Sequence, residues 1–399
     1  MSIWCLAACG KPWAKIWRPR CSRSWGSIRS MEIERRALLA GAGAALLAGL
    51  DPCGLAAMET RDSLFIAARK EADGRHVVAV FTQDGRDITT VALPDRGHDV
   101  TLHEATGRCV AFARRPGTFA AAFDVHGRRE PQFFHAPEGR HFYGHGVFSP
   151  DGRLLYATEN DFENGLGFIG IYDVDAGFKR IGDFSSGGVG PHEVLLAPDG
   201  RTLVVANGGM ETHPDYGRTV LNLPTMQPTL ALIDRETGDI LANHRLGADS
   251  RLSSIRHMAI DGAGAVWFGC QYQGAKTDRP QLVGRCQWGK EPALFEAPDD
   301  ILSGFNNYVG SVMANGTGEV IGTSSPRGGQ VVYWEAATGR ILGRSRVADC
   351  CGLAPEGERG FLISDGGGEL LVDRPNAAGA PRRVALREGA KWDNHMVRV

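Results

Sequence analysis

The chain has 399 residues, 43% of them hydrophobic, and a formal net charge of −2 at pH 7. That charge gives no electrostatic case for nucleic acid, which selects a basic face. About 340 residues follow the N-terminal segment, too many for one ordinary core but suited to a propeller, which grows by adding blades.

In chain order, residues 1–30 are poor folding material. Trp4, Trp13, Trp17 and Trp25 lie among basic residues and Cys5, Cys9 and Cys21 without helix or strand periodicity, so this stretch reads as a non-native extension and Met31 as the biological start. Residues 31–60 read as a twin-arginine export signal, with Glu34-Arg35-Arg36-Ala37-Leu38-Leu39 opening a small-residue apolar run that ends at Leu50. The run is shorter than the roughly 20 residues needed to span a bilayer, and Gly54, Ala56 and Ala57 offer small residues for cleavage. An anchoring helix is the alternative. Cys53 raises a lipoprotein variant, although Asp51 and Pro52 fit a lipobox poorly. The expectation is a periplasmic protein with no transmembrane segment in the mature chain and one domain over residues 61–399.

Short apolar strands separated by turns fill that domain. Residues 63–68, 76–81 and 88–93 read as strands, and the unit from His145 to Asp173 shows the repeating grammar most clearly. Gly146-Val147-Phe148 runs into Ser149-Pro150-Asp151-Gly152, where Pro fixes φ and Asp-Gly supplies the left-handed turn position. Two further strands follow, and the same turn recurs at Ala197-Pro198-Asp199-Gly200 and Ala354-Pro355-Glu356-Gly357. No stretch has convincing helical periodicity, which makes the reading all-β.

Five histidines share one phase of this repeat: His98, His145, His192, His257 and His395, with Gly310 and Cys351 at the equivalent place in two further copies. The seven positions are separated by 47, 47, 65, 53, 41 and 44 residues, near the roughly 40–50 of a four-stranded propeller blade. Seven inner strands are counted this way. The last lies too near the C-terminus to build a blade alone, so strands from the start of the domain must complete it, which closes the ring and removes exposed edges.

A residue at the start of every inner strand points toward the axis, on the face where the loops between second and third strands emerge. Imidazoles there suit a transition metal such as iron, copper or zinc. Glu159, Asp161, Glu193, Asn207, His213 and Cys351 are candidates to complete or orient the shell. Arg256 and Arg327 are candidates for binding a carboxylate or phosphate, and Asn207-Gly208-Gly209 for a backbone anion nest. His103, His126, His135 and His244 fall off phase and read as surface or turn residues, while His76 and His141 carry no distinct signal. Cys109, Cys270, Cys286, Cys350 and Cys351 are odd in number, and Cys270 and Cys286 are candidates for a disulfide.

Phe142-Tyr143-Gly144-His145-Gly146, Gly190-Pro191-His192-Glu193, Ser254-Ile255-Arg256-His257, Trp267-Phe268-Gly269-Cys270-Gln271 and Thr323-Ser324-Ser325-Pro326-Arg327-Gly328-Gly329, with their neighbours, resemble the exported bacterial family DUF1513 from about Ser63 to His395. The resemblance implies a propeller of unassigned activity, associated with imelysin-like proteins and periplasmic iron acquisition. Three classes of function compete: a periplasmic propeller that binds a metal or small ligand for an uptake partner, a lactonase-like metal-dependent hydrolase using Glu159 or Glu193, and a protein-interaction scaffold.

Overall fold

A computed structural model describes residues 63–375 and 379–399. The proposed extension and export signal lie outside these residues. Seven antiparallel sheets follow one another along the chain, and the described residues form one compact unit.

Six sheets have four strands each. Their innermost strands are Gly97–His103, Arg140–Phe148, Pro191–Leu196, Ser253–Ile260, Ser311–Ala314 and Cys350–Glu356. The seventh sheet is the closing blade. Leu64–Lys70 pairs with His76–Thr82, which pairs with Asp87–Leu93, while the C-terminal pieces Lys391–Trp392 and Val397–Arg398 both pair with Leu64–Lys70. The chain ends thus meet in one sheet, as the strand count requires. Trp392 fixes the join by packing its ring 4.8 Å from that of Phe81, with the Arg69 guanidinium 5.1 Å away on the same indole.

Apolar side chains on both faces of the inner three strands fill the space between blades. Phe112, Phe134, Phe142 and Tyr172 form one such seam, and Trp267, Phe295 and Trp334 another. The outer strands alternate instead, as in Lys179–Ser185, where every second residue is exposed.

Two local readings change. Asp299–Phe305 is an α-helix, burying Ile301, Leu302 and Phe305; at seven residues it is too short to show a periodic signal. Cys270 and Cys286 are free, as are the other three cysteines of the domain. On their paired strands Cys286 lies opposite Val266, which puts Cys270 about 13 Å along the ladder, beyond disulfide reach.

Candidate metal centre

The phased residues sit on backbone irregularities. The inner strand slips register against its neighbour between Gly97 and Val100, Phe142 and Gly146, Pro191 and Glu193, Ile255 and His257, and Cys350 and Leu353. Each bulge bends the strand and re-aims the side chains it carries. The Ser311–Ala314 strand, which has Gly310 at the phased position, pairs without a slip. Two strands also begin earlier than expected, at Arg140 and Ser253, so His145 and His257 lie within their strands, not at the start. Gly144, at φ 106°, is part of this geometry, because a Cβ there would come within 2.5 Å of His98 Cδ2.

The result is a closed ring of imidazoles. Going round it, centroids are 5.0 Å apart for His98 and His145, 4.8 Å for His145 and His192, 4.7 Å for His192 and His257, 4.6 Å for His257 and His395, and 4.6 Å for His395 and His98. Four of the five are buried and His395 is partly exposed. Two triads, His98 with His145 and His395, and His145 with His192 and His257, bring one ring nitrogen each within 4.8 Å of one another. At the roughly 2.0–2.1 Å of a metal–imidazole bond, two ligand nitrogens can stand at most about 4.2 Å apart. Each triad therefore comes close to the spacing of ligands that share one ion.

Carboxylates hold the outer side of the ring. Asp393 Oδ1 is 3.0 Å from His98 Nδ1 and 3.1 Å from Arg114 Nη1, and Asp99 Oδ2 is 3.0 Å from His145 Nδ1. Glu193 Oε2 lies 3.3 Å from His257 Nδ1 without hydrogen-bond alignment, and accepts from the Met258 amide. Holding Nδ1 leaves Nε2 for the axis and makes it a stronger donor to a metal. His145 Nε2, both nitrogens of His192, His257 Nδ1 and His395 Nε2 are buried without a hydrogen-bond partner among the described residues.

Burial sets the charge states. It pushes His98, His192 and His257 well below the usual imidazole range and His395 down to about 4, so these rings are neutral at pH 7 and a metal need not displace protons from them. Burial and the nearby Asp99 push Glu193 up. For Asp99 and Asp393 burial works in the same sense, but His145 beside the first, and His98 with Arg114 beside the second, hold both carboxyls low.

Several other expected site residues lie elsewhere. Glu159 is buried within its blade, bound to Arg140, Arg180 and the Tyr172 hydroxyl; as part of strand Leu154–Asp161 it lies against residues of its own sheet and not among the clustered imidazoles. Asp161 caps the following turn through Asn164. Asn207 donates to the Ser186 carbonyl and Thr229, and the amides of Gly208 and Gly209 bond to the Gly190 and Val189 carbonyls, which leaves no anion nest. His213 faces Glu163 at 3.4 Å in a loop outside the ring. The Cys351 thiol, pushed well up by burial, donates to the Asp349 carbonyl and is not among the clustered ligand atoms. His141, which carried no signal, is buried between the Phe142 carbonyl and Asn160.

Above the ring lies a chamber of about 130 Å³ shared by His98, His192 and His257 with Arg114, Arg115, Arg218, Arg256 and Arg327. Arg114, Arg115, Arg218 and Arg327 come from loops between second and third strands, which emerge on the ring face as expected, and Arg256 from the inner strand Ser253–Ile260. Burial and the neighbouring Arg115 push Arg256 down to about 9, which keeps it charged at neutral pH. A larger cavity, about 1190 Å³, opens beyond the far end of strand Ser253–Ile260, around Asp261 and Trp288, and contains none of the ring residues.

The fold and site define a seven-bladed β-propeller with a histidine ring in its channel. The chain belongs to the family described as "Protein of unknown function (DUF1513)", whose model matches residues 91–399. No curated protein is detectably similar in sequence. Among solved structures, hydrazine synthase of Kuenenia stuttgartiensis is similar in fold, with a TM-score of 0.55 at 14% identity over 77% of this chain and 94% of that one. At that identity the likeness concerns the fold alone.

Proposed function

We propose that this propeller binds a transition metal, iron, copper or zinc, at the ring of His98, His145, His192, His257 and His395. It would do so in the periplasm, for a metal-uptake or imelysin-like partner. The observation that carries the reading is the convergence of five imidazoles from five blades, two with Nδ1 fixed by a carboxylate and several with unpartnered nitrogens. A purely structural ring would leave those polar atoms buried at about 1–3 kcal/mol each, whereas a metal satisfies them together. Among the described residues no helix is long and apolar enough to cross a membrane. Export by the twin-arginine route is part of the proposal. Replacing Arg35 and Arg36 by Lys keeps the charge and should leave precursor in the cytoplasm; normal export of that variant would point to another route. Elemental analysis of protein folded before export tests the metal: stoichiometric iron, copper or zinc supports the reading, and metal-free protein from metal-replete cells counts against it.

A further inference from the structure

We propose that the chamber over the histidine ring is a binding site for a compact oxyanion, phosphate or a small carboxylate, anchored by the buried guanidinium of Arg256. The chamber gathers five arginines and no carboxylate. Arg114 is neutralised by Asp393. Arg115, Arg218, Arg256 and Arg327 have no carboxylate partner among the described residues, which leaves a local excess of positive charge in a chain whose overall charge is slightly negative.

Arg256 is the decisive member. It is only 3% exposed, its Nε has no hydrogen-bond partner, and Nη2 reaches nothing stronger than Met210 Sδ at 3.5 Å. A buried, unpaired charge costs several kcal/mol, and the fold holds this one in place by design. Arg256 occupies the bulge between Ile255 and His257, and its guanidinium lies over Gly208, where an added Cβ would come 3.3 Å from Cζ. The planar fork of an arginine matches two oxygens of a carboxylate or phosphate.

The remaining walls suit the same ligand. Arg327 is held 4.3 Å from the Tyr308 ring centroid, and the Tyr308 oxygen accepts from Asn394, which leaves its own hydroxyl proton to donate. Arg115, half-buried, and Arg218, exposed, supply rim charges. A volume of about 130 Å³ has room for several water molecules, and so for a compact anion of four to six heavy atoms. The site needs no metal to form. Should the ring be loaded, an anion at Arg256 would screen the metal from the arginines that share the chamber.

Calorimetric titration of phosphate, oxalate and uncharged urea into metal-depleted protein, in dilute chloride buffer, tests the site. Wild type should bind at least one of the two anions and not urea, and the better-bound anion identifies the ligand chemistry. The rim variant Arg115→Gln with Arg218→Gln should weaken binding by about tenfold or more, and Arg256→Met should abolish it. The rim variant changes only partly or fully exposed residues and decides the matter even where Arg256→Met fails to fold. Absence of anion binding in wild type, or equal affinity in the rim variant, overturns the proposal. Because no metal is present, either outcome is independent of whether the ring binds one.

Discussion

Asp99, the residue after one ring histidine, lies 3.0 Å from Nδ1 of His145, the ring histidine of the next blade. The pattern recurs: Glu193 follows His192 and lies 3.3 Å from His257 of the blade after it. Gly146 follows His145, and His192, next in order, has neither nitrogen partnered. Five blades therefore bring an imidazole each, and two of them also bring an acid beside the next blade's imidazole, with Asp99 hydrogen-bonded to it.

If Asp99 positions His145, Asp99→Asn should weaken metal binding by about 10–100-fold, the usual cost of losing such a partner, with little change in apo stability. Rescue by Asp99→Glu would separate positioning from packing. Unaltered affinity in Asp99→Asn, measured by competition with a chelating dye, would remove Asp99 from the account.

Glu159 should behave in the opposite way. Its carboxylate is wholly buried against Arg140, Arg180 and Tyr172, and breaking a buried pair costs about 3–5 kcal/mol. Glu159→Gln should lower stability by about 3 kcal/mol in urea unfolding while leaving metal affinity unchanged. A loss of affinity without loss of stability would return Glu159 to the site.

His141 should govern part of the acid limb of stability. Its Nδ1 bonds the Phe142 carbonyl and Nε2 accepts from Asn160, an arrangement that only the neutral ring satisfies. Burial pushes it down to about 4 from a usual value of 6.5. The unfolded chain therefore takes up this proton first. The contribution is intact above pH 6.5 and is lost as pH falls toward 4, by about 3 kcal/mol. His141→Gln keeps both hydrogen-bonding roles and should flatten the decline between pH 6.5 and 4. An identical slope in the variant would show that other groups carry it.

Deleting residues from Trp392 onward should unzip the closing blade, because both C-terminal pieces pair with Leu64–Lys70. The exposed edge invites pairing with another chain, so light scattering should show association and the unfolding temperature should fall. A monomeric truncation with unchanged stability would contradict the closure.

The propeller was legible because its signals are local and repeated: turn residues, strand length, and one histidine per repeat. The ring residues were legible for the same reason. The bulges were not, since a register slip such as that between Phe142 and Gly146 depends on pairing with a strand distant in sequence. Glu159 and Asn207 were misplaced because the sequence marks a loop's start without saying which way a strand-end side chain points. Asp393, two residues before His395, reaches His98 only after the chain ends join, and no local pattern announces it. The acid following His98 and His192 was the one available sign of the carboxylates around the ring.

In the proposed function the five imidazoles act as ligands and not as packing. Titration of Zn²⁺ or Cu²⁺ into wild type and a His145→Ala, His192→Ala variant, following affinity and unfolding temperature together, tests it most directly. His145 belongs to both triads and His192 has no hydrogen-bond partner to lose. Wild type should gain about 2.7 kcal/mol of stability at a hundredfold excess over its dissociation constant, while the variant should lose most of its affinity and gain no such stabilisation over its own apo form. Equal metal binding by both proteins would contradict the account.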